Sequence, residues 1–321
     1  MKSSLRCVIQ TRDQLGETPL WCPRTRKVWW IDIEQPKLQS FDERTGVHEV
    51  YPFDSTFLGS LALHDKGGFV VALNNTLHRF DPQDGVLEKI VEIEPSSAGT
   101  RLNDGRCDGR GRLWIGTMDA AIERPLGSFY RVDPDGQVHK FFGDIIVTNS
   151  VATSPDGRTL YMSDTRRFKL WAFDLDPDSG LITNRRVFAD YEGQRGRPDG
   201  ACVDREGYLW NAVFAGHRVV RYAPDGRADR IIELPVTNPT CVCLGGPDLR
   251  TLYITTATKM IAPDTLVEEE WSGALLAIDV EVPGLPEPPF GAHCTTACQG
   301  NSYAEGQVVI TTAASRRTAK T

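Results

Sequence analysis

No run of apolar residues in this 321-residue chain approaches the length of a membrane span. The N-terminal stretch MKSSLRCVIQTRDQLGE has no apolar signal core, so a cytoplasmic location is expected. Positive charge is not in excess either. Lys and Arg number 36 against 43 Asp and Glu, a net charge of −7. That argues against nucleic acid or an anionic membrane as partner and leaves a small molecule open. Zinc-type spacing is also missing: Cys7, Cys22, Cys107, Cys202, Cys241, Cys243, Cys294 and Cys298 are scattered, form no CxxC pair and have no histidine at ligand spacing. They are expected to be reduced and mostly buried, with no disulfide framework. Amphipathic helix patterns are nearly absent.

What is abundant is turn chemistry, with 29 Gly and 20 Pro. Six segments share one form: GETPLWCPRTRKVWW, GSLALHDKGGFVVAL, LNDGRCDGRGRLWIG, TNSVATSPDGRTLYM, PDGACVDREGYLWNA and PTCVCLGGPDLRTLY. Each has a polar second residue, Glu17, Ser60, Asn103, Asn149, Asp199 and Thr240, and these heads recur every 41 to 50 residues. A period near 45 is that of a four-stranded propeller blade. After each head come a short strand, a turn such as DGRG or DREG, a second apolar strand such as RLWIGT or YLWNAV, and a third such as KLWAFDLD. Several third strands end in DPQDG, DPDG, DPDSG or APDG, where Pro presets φ and Gly supplies φ > 0. The expected fold is all-β, a six-bladed β-propeller of four antiparallel strands per blade over residues 1–282. No clear fourth strand follows the sixth repeat, and LRCVIQT at the N-terminus is expected to complete that blade and close the ring. Residues 283–321 are expected to form a Pro-rich extended segment lying over the outside, then a loosely packed or disordered tail beyond His293, where Cys294 and Cys298 are too isolated to form a metal site.

In a propeller the first strand of each blade lines the central channel, so the six heads should form a ring at one mouth. Two carboxylates, Glu17 and Asp199, would neutralise a divalent cation, and Asn149 would add a neutral oxygen. With no His or thiolate in the set, Ca²⁺, Mg²⁺ or Mn²⁺ is favoured and Zn²⁺ is accommodated. Three protein ligands would leave positions open for water and substrate. The other reading of the ring is that these groups cap strands or bind channel water.

The motifs GETPLW, RLNDGRCDGRGRLWIGTM, TNSVATSPDGRTLYMSDT and RPDGACVDREGYLW, in order and over about residues 6–282, closely resemble the SMP-30/gluconolactonase family of regucalcin-like sugar lactonases. The resemblance implies a six-bladed propeller with one divalent metal at the channel mouth, held by Glu17, Asn149 and Asp199. It implies that Arg101 and Asn103 contact the substrate, that Asp119, after GTM, is a further substrate contact, and that Asp199 is the general base. The implied reaction is hydrolysis of an aldonolactone, with L-arabinono-, D-galactono- and D-gluconolactone as candidates. A metal-bound carboxylate is a weak base, so activation of water by the metal stands beside Asp199 as an alternative. Other expectations are Asp104 as a partner behind the ligands, Asp108 in a strand turn, the tryptophans in the core, and 258–271 as a rim over the mouth or a surface loop. A monomer or weak oligomer is expected. The competing functions are hydrolysis of another lactone or a phosphotriester, and a non-catalytic calcium-binding propeller.

Overall fold

The computed structural model describes residues 4–292. They form six four-stranded antiparallel sheets, and in five of these the strands follow chain order from the centre outward. The innermost strands are Gly16–Cys22, Leu58–Leu63, Thr100–Cys107, Thr148–Thr153, Arg197–Val203 and Pro239–Gly245, here the inner strands of blades 1 to 6. The sixth sheet takes its outer strand from the other end of the chain: Arg6–Gln10 pairs antiparallel with Ala274–Asp279, as expected for closure of the ring. Among the described residues no helix is long and apolar enough to cross a membrane.

The core is divided among the blade interfaces. Six apolar clusters occur, each shared by two neighbouring blades; one joins Trp114 and Phe129 of blade 3 to Leu160, Met162 and Phe173 of blade 4. A strand pressed between two such clusters has no solvent face, which is why its sequence alternates poorly. Trp30, Trp114 and Trp210 are fully buried. The repeated D-x-x-G-x-L-W run explains two of them. Asp108 accepts from Trp114 Nε1 at 2.8 Å, and Asp204 accepts from Trp210 Nε1 at 3.0 Å. Each Asp also caps its own turn, where Gly111 and Gly207 take positive φ. Among the described residues Cys7, Cys22, Cys107, Cys202, Cys241 and Cys243 form no disulfide, and all but Cys7 are buried.

Residues 283–292 take a course different from the one expected. Rather than running over the outside, they cross the end of the channel opposite the repeat heads. Arg205 N donates to Pro283 O and Gly284 N to Leu249 O on one side; Phe290 N donates to Leu63 O and Gly291 N to Gly111 O on the other. Buried Phe290 joins the cluster between blades 2 and 3. Between these anchors Glu287 receives both of its bonds from Arg106 Nη1, at 2.8 and 2.7 Å. Both side chains are largely buried (11 % and 19 % exposed), so removing one strands the other charge. Glu287→Ala is expected to cost about 3 kcal/mol in urea denaturation, and Glu287→Gln less; an unchanged midpoint would mean that this strap does not hold the channel floor. The expected tail beyond His293, with Cys294 and Cys298, lies outside the described residues.

Candidate functional site

In every blade the ladder between the inner strand and its neighbour is irregular near the repeat head, as between Glu17 and Leu20, Asn149 and Ala152, and Pro198 and Ala201. Such bulges re-aim side chains. The residues after two heads take left-handed backbone, Thr18 at φ 44° and Ser150 at φ 58°. For a non-glycine residue that conformation costs on the order of 1–2 kcal/mol and is typical of functional sites. After Asp199 the chain needs glycine for a different reason. A Cβ on Gly200 would lie 2.2 Å from Cys241 Sγ, so only glycine lets the inner strands of blades 5 and 6 approach.

Four of the six heads converge. Glu17, Asn103, Asn149 and Asp199 line one cavity of about 580 Å³, measured out to its open mouth, together with Arg101. All five are at most 6 % exposed. Ser60 and Thr240 do not join them. Their hydroxyls turn sideways and donate to the next blade's backbone, Ser60 Oγ to Gly105 O at 3.4 Å and Thr240 Oγ1 to Gly16 O at 2.5 Å. The expected ring of six is therefore an arc of four plus two inter-blade ties.

A directed chain of hydrogen bonds runs along the arc. Arg101 Nη1 donates to Asn103 Oδ1 at 2.6 Å, Asn103 Nδ2 to Asn149 Oδ1 at 3.1 Å, Asn149 Nδ2 to Thr165 Oγ1 at 2.8 Å, and Thr165 Oγ1 to Pro198 O at 2.8 Å. Thr165 takes the nitrogen end of the Asn149 amide, and the oxygen end of that amide accepts from Asn103 and keeps a second lone pair. Thr165 was not foreseen; it sits in the short 3₁₀ turn Thr165–Arg167, away from the repeat heads. Arg101 also bonds Leu102 O and lies 5.0 Å from the Phe57 ring centre. Its deep burial draws its pKa down to about 10, against the pull of Glu34 and Glu17.

Electrostatically the cavity is unusual. No Lys or Arg of the described residues forms an ion pair with Glu17 or Asp199. Glu17 Oε2 accepts from Thr18 N at 2.8 Å. Burial pushes the Glu17 carboxyl well above its ordinary range, and the charge of Asp104 adds to this. Burial does the same to Asp199, with Glu17 and then Asp104 adding to the rise. Asp104 stands behind them, accepts from Val151 N at 2.8 Å, and is itself raised by burial to about 6. Among the described residues no group of three or more His, Cys, Asp and Glu side chains forms a cluster of metal-site geometry. The donor set at the mouth is two carboxylates and one amide oxygen. Two buried carboxylates that repel each other, without an ion pair to a Lys or Arg of the described residues and with a carboxamide oxygen in the same cavity, suit a hard divalent cation.

Asp119 is close to the mouth but does not line the cavity. It is fully buried and accepts from Glu123 N at 3.0 Å and Arg124 N at 2.8 Å, shaping a turn whose Ile122 reaches the wall. Asp108 lies in its strand turn, as expected. The 258–271 segment forms the short helix Pro263–Glu268 and brings Lys259 and Met260 onto the rim. Two rim residues had been missed, Arg166 and Arg197. The Arg197 guanidinium lies 5.1 Å from the Phe214 ring centre. Its pKa is lowered by burial and by the charge of Arg166.

A family model described as SMP-30/Gluconolactonase/LRE-like region matches residues 15–258. Among curated relatives, the 6-deoxy-6-sulfogluconolactonase of Pseudomonas putida is 37 % identical over 290 residues, covering 90 % of this chain and 99 % of its own. The L-arabinolactonase of Azospirillum brasilense is 35 % identical, covering 87 % and 93 %. Among solved structures, a calcium-binding regucalcin from Agrobacterium tumefaciens superposes with a TM-score of 0.86 at 34 % identity, covering 90 % of this chain and 98 % of its own.

Proposed function

The chain belongs to the SMP-30/Gluconolactonase/LRE-like family, and from that premise we propose that it is a metal-dependent sugar lactonase, hydrolysing the ring ester of an aldonolactone to the open aldonic acid. The observation that carries this reading is the meeting of two buried carboxylates without an ion pair, Glu17 and Asp199, with the amide of Asn149 in one cavity. These three residues would hold one divalent ion, Ca²⁺, Mg²⁺, Mn²⁺ or Zn²⁺; the regucalcin structure named above is described as calcium-binding. When bound, the ion would supply Lewis-acid polarisation of the lactone carbonyl.

The remaining work falls to the chain's own groups. Arg101 offers guanidinium donors from a fixed position, because Asn103, Leu102 O and Phe57 hold it. It would orient the ring oxygen or hydroxyls of the lactone and meet charge that grows on oxygen during attack. Asn103, held by Arg101 and Asn149, would present the second polar contact. Asp199 would accept the proton of the attacking water. Ligation lowers the basicity of a carboxylate, but the burial that raises Asp199 acts in the opposite direction. Leu15, Ile33, Val147 and Phe214 give the cavity dry walls. Asp119 would act at one remove, through the turn that presents Ile122.

The names of the relatives include a pentonolactonase and a hexonolactonase, so the carbon-chain length of the substrate is decided by assay. The protein, stripped and reloaded with each ion, is tested on L-arabinono-, D-galactono- and D-gluconolactone and on an organophosphate, with acid release followed in weak buffer. Cation-dependent opening of at least one aldonolactone, with little or no action on the phosphotriester, is expected. Preference for the phosphotriester, or no cation-dependent turnover on any substrate, would overturn the proposal.

A further inference from the structure

Once a divalent ion balances Glu17 and Asp199, the cavity keeps an excess of positive charge that a neutral sugar lactone does not match. Of the cations on its wall, Lys259 is paired with Glu34, and Arg101 is engaged with Asn103 and Leu102 O. Arg166 and Arg197 form no ion pair among the described residues, and the one carboxylate whose charge acts on Arg197 is Asp199, which the divalent ion would engage; the protein as a whole carries a net charge of −7. Arg197 is half-buried and packed against Phe214, while Arg166 beside it is exposed on the rim.

The two guanidiniums are placed together by construction. Thr165 Oγ1 donates to Pro198 O at 2.8 Å, and Arg166 follows Thr165 in sequence as Arg197 precedes Pro198. Thr165 is bonded to Asn149, and Arg197 stands two residues before Asp199 on the same strand. Arg166, Arg197, Glu17, Asn149 and Asp199 all line the same cavity. The arginine pair therefore shares its walls with the carboxylates that would face the lactone carbonyl.

We propose that Arg166 and Arg197 form an anion subsite, and that the substrate is an aldonolactone carrying a sulfonate or phosphate at the carbon farthest from its carbonyl. This rests on the lactonase reading and narrows it. Two guanidinium forks present several N–H donors to a tetrahedral oxyanion, which a hydroxymethyl group cannot use.

The test compares wild type with Arg166→Gln, Arg197→Gln and the double variant. The substrates are D-gluconolactone, its 6-deoxy-6-sulfo analogue and its 6-phosphate. The expected wild-type kcat/KM favours an anionic lactone by about 10- to 100-fold over the neutral one. The sulfonate and phosphate arms identify which oxyanion is preferred. In the double variant that preference should fall by at least about 10-fold, mostly through KM. Equal use of neutral and anionic lactones by wild type, or equal slowing of both by the variants, would overturn the subsite. A binding arm stands apart from turnover: calorimetry with 6-deoxy-6-sulfoglucose, glucose 6-phosphate and glucose on the same proteins. A charged sugar that binds wild type about 10-fold more tightly than glucose, with the advantage lost in the double variant, supports the subsite even if no lactone is opened and the lactonase reading fails. Equal affinity for all three sugars would overturn it.

Discussion

An Asp199→Asn variant is expected to lose lactone turnover by at least ~10³-fold, while its metal-free form unfolds at a temperature no lower than that of metal-free wild type. The two expectations come from the same geometry. Asp199 supplies one of only two carboxylates in the donor set and the proposed proton acceptor, so neutralising it removes both functions. The same side chain is deeply buried and pressed against the charge of Glu17, without an ion pair to a Lys or Arg of the described residues. Its charge opposes folding when no cation is present. Asparagine keeps the shape and one oxygen and removes that charge. Kinetics on the best lactone and thermal unfolding with chelator present check both halves. A variant that melts clearly lower and keeps its turnover would identify Asp199 as a structural residue only.

Adding a divalent cation to metal-free protein is expected to raise the free energy of unfolding by about 2.7 kcal/mol when free cation reaches 100 times its Kd. At one fixed cation concentration the rise should be larger at pH 8 than at pH 5. Burial raises the Glu17 carboxyl above its ordinary value of 4.5 and raises Asp199 in the same direction. A group raised in the folded state gives stability that is fully present below its ordinary value and is lost as pH climbs through its raised one. Metal-free protein should therefore lose stability from these two groups as pH rises above 4.5. Cation and proton compete for the same oxygens, so binding tightens over the same range. Calorimetric melting at both pH values, with chelator or with cation, reads the difference. No shift on adding any of the four ions, or a shift equal at both pH values, would contradict it.

The ring and its closure were legible because each blade repeats the same turn chemistry, and the missing sixth outer strand had an obvious candidate in LRCVIQT. Glu17, Asn103, Asn149 and Asp199 were legible for the same reason, since repetition places each at the head of an inner strand. Repetition could not show which heads reach the cavity. Ser60 and Thr240 have short hydroxyls, and the nearest acceptor is a neighbouring backbone carbonyl, a distance that no single repeat encodes. Asp119 was expected to contact substrate; in the structure it accepts from the amides of Glu123 and Arg124 and is not among the residues that line the cavity. Arg166 falls outside the repeat heads, in a turn. Arg197 stands two before Asp199 on the same strand, but the bulge between Pro198 and Ala201 breaks the alternation from which a shared face would be read. The floor strap had none: Arg106 and Glu287 are 181 residues apart, and a Pro-rich run has no period to read.

Anomalous diffraction from crystals soaked with Mn²⁺ tests the shared cation most directly. The expected map has one strong peak at the channel mouth, within about 2.6 Å of oxygens from Glu17, Asn149 and Asp199 together, and loses it in the Asp199→Asn variant. A peak bound elsewhere, or one that touches only a single member of that trio, would contradict the site on which the proposed chemistry depends.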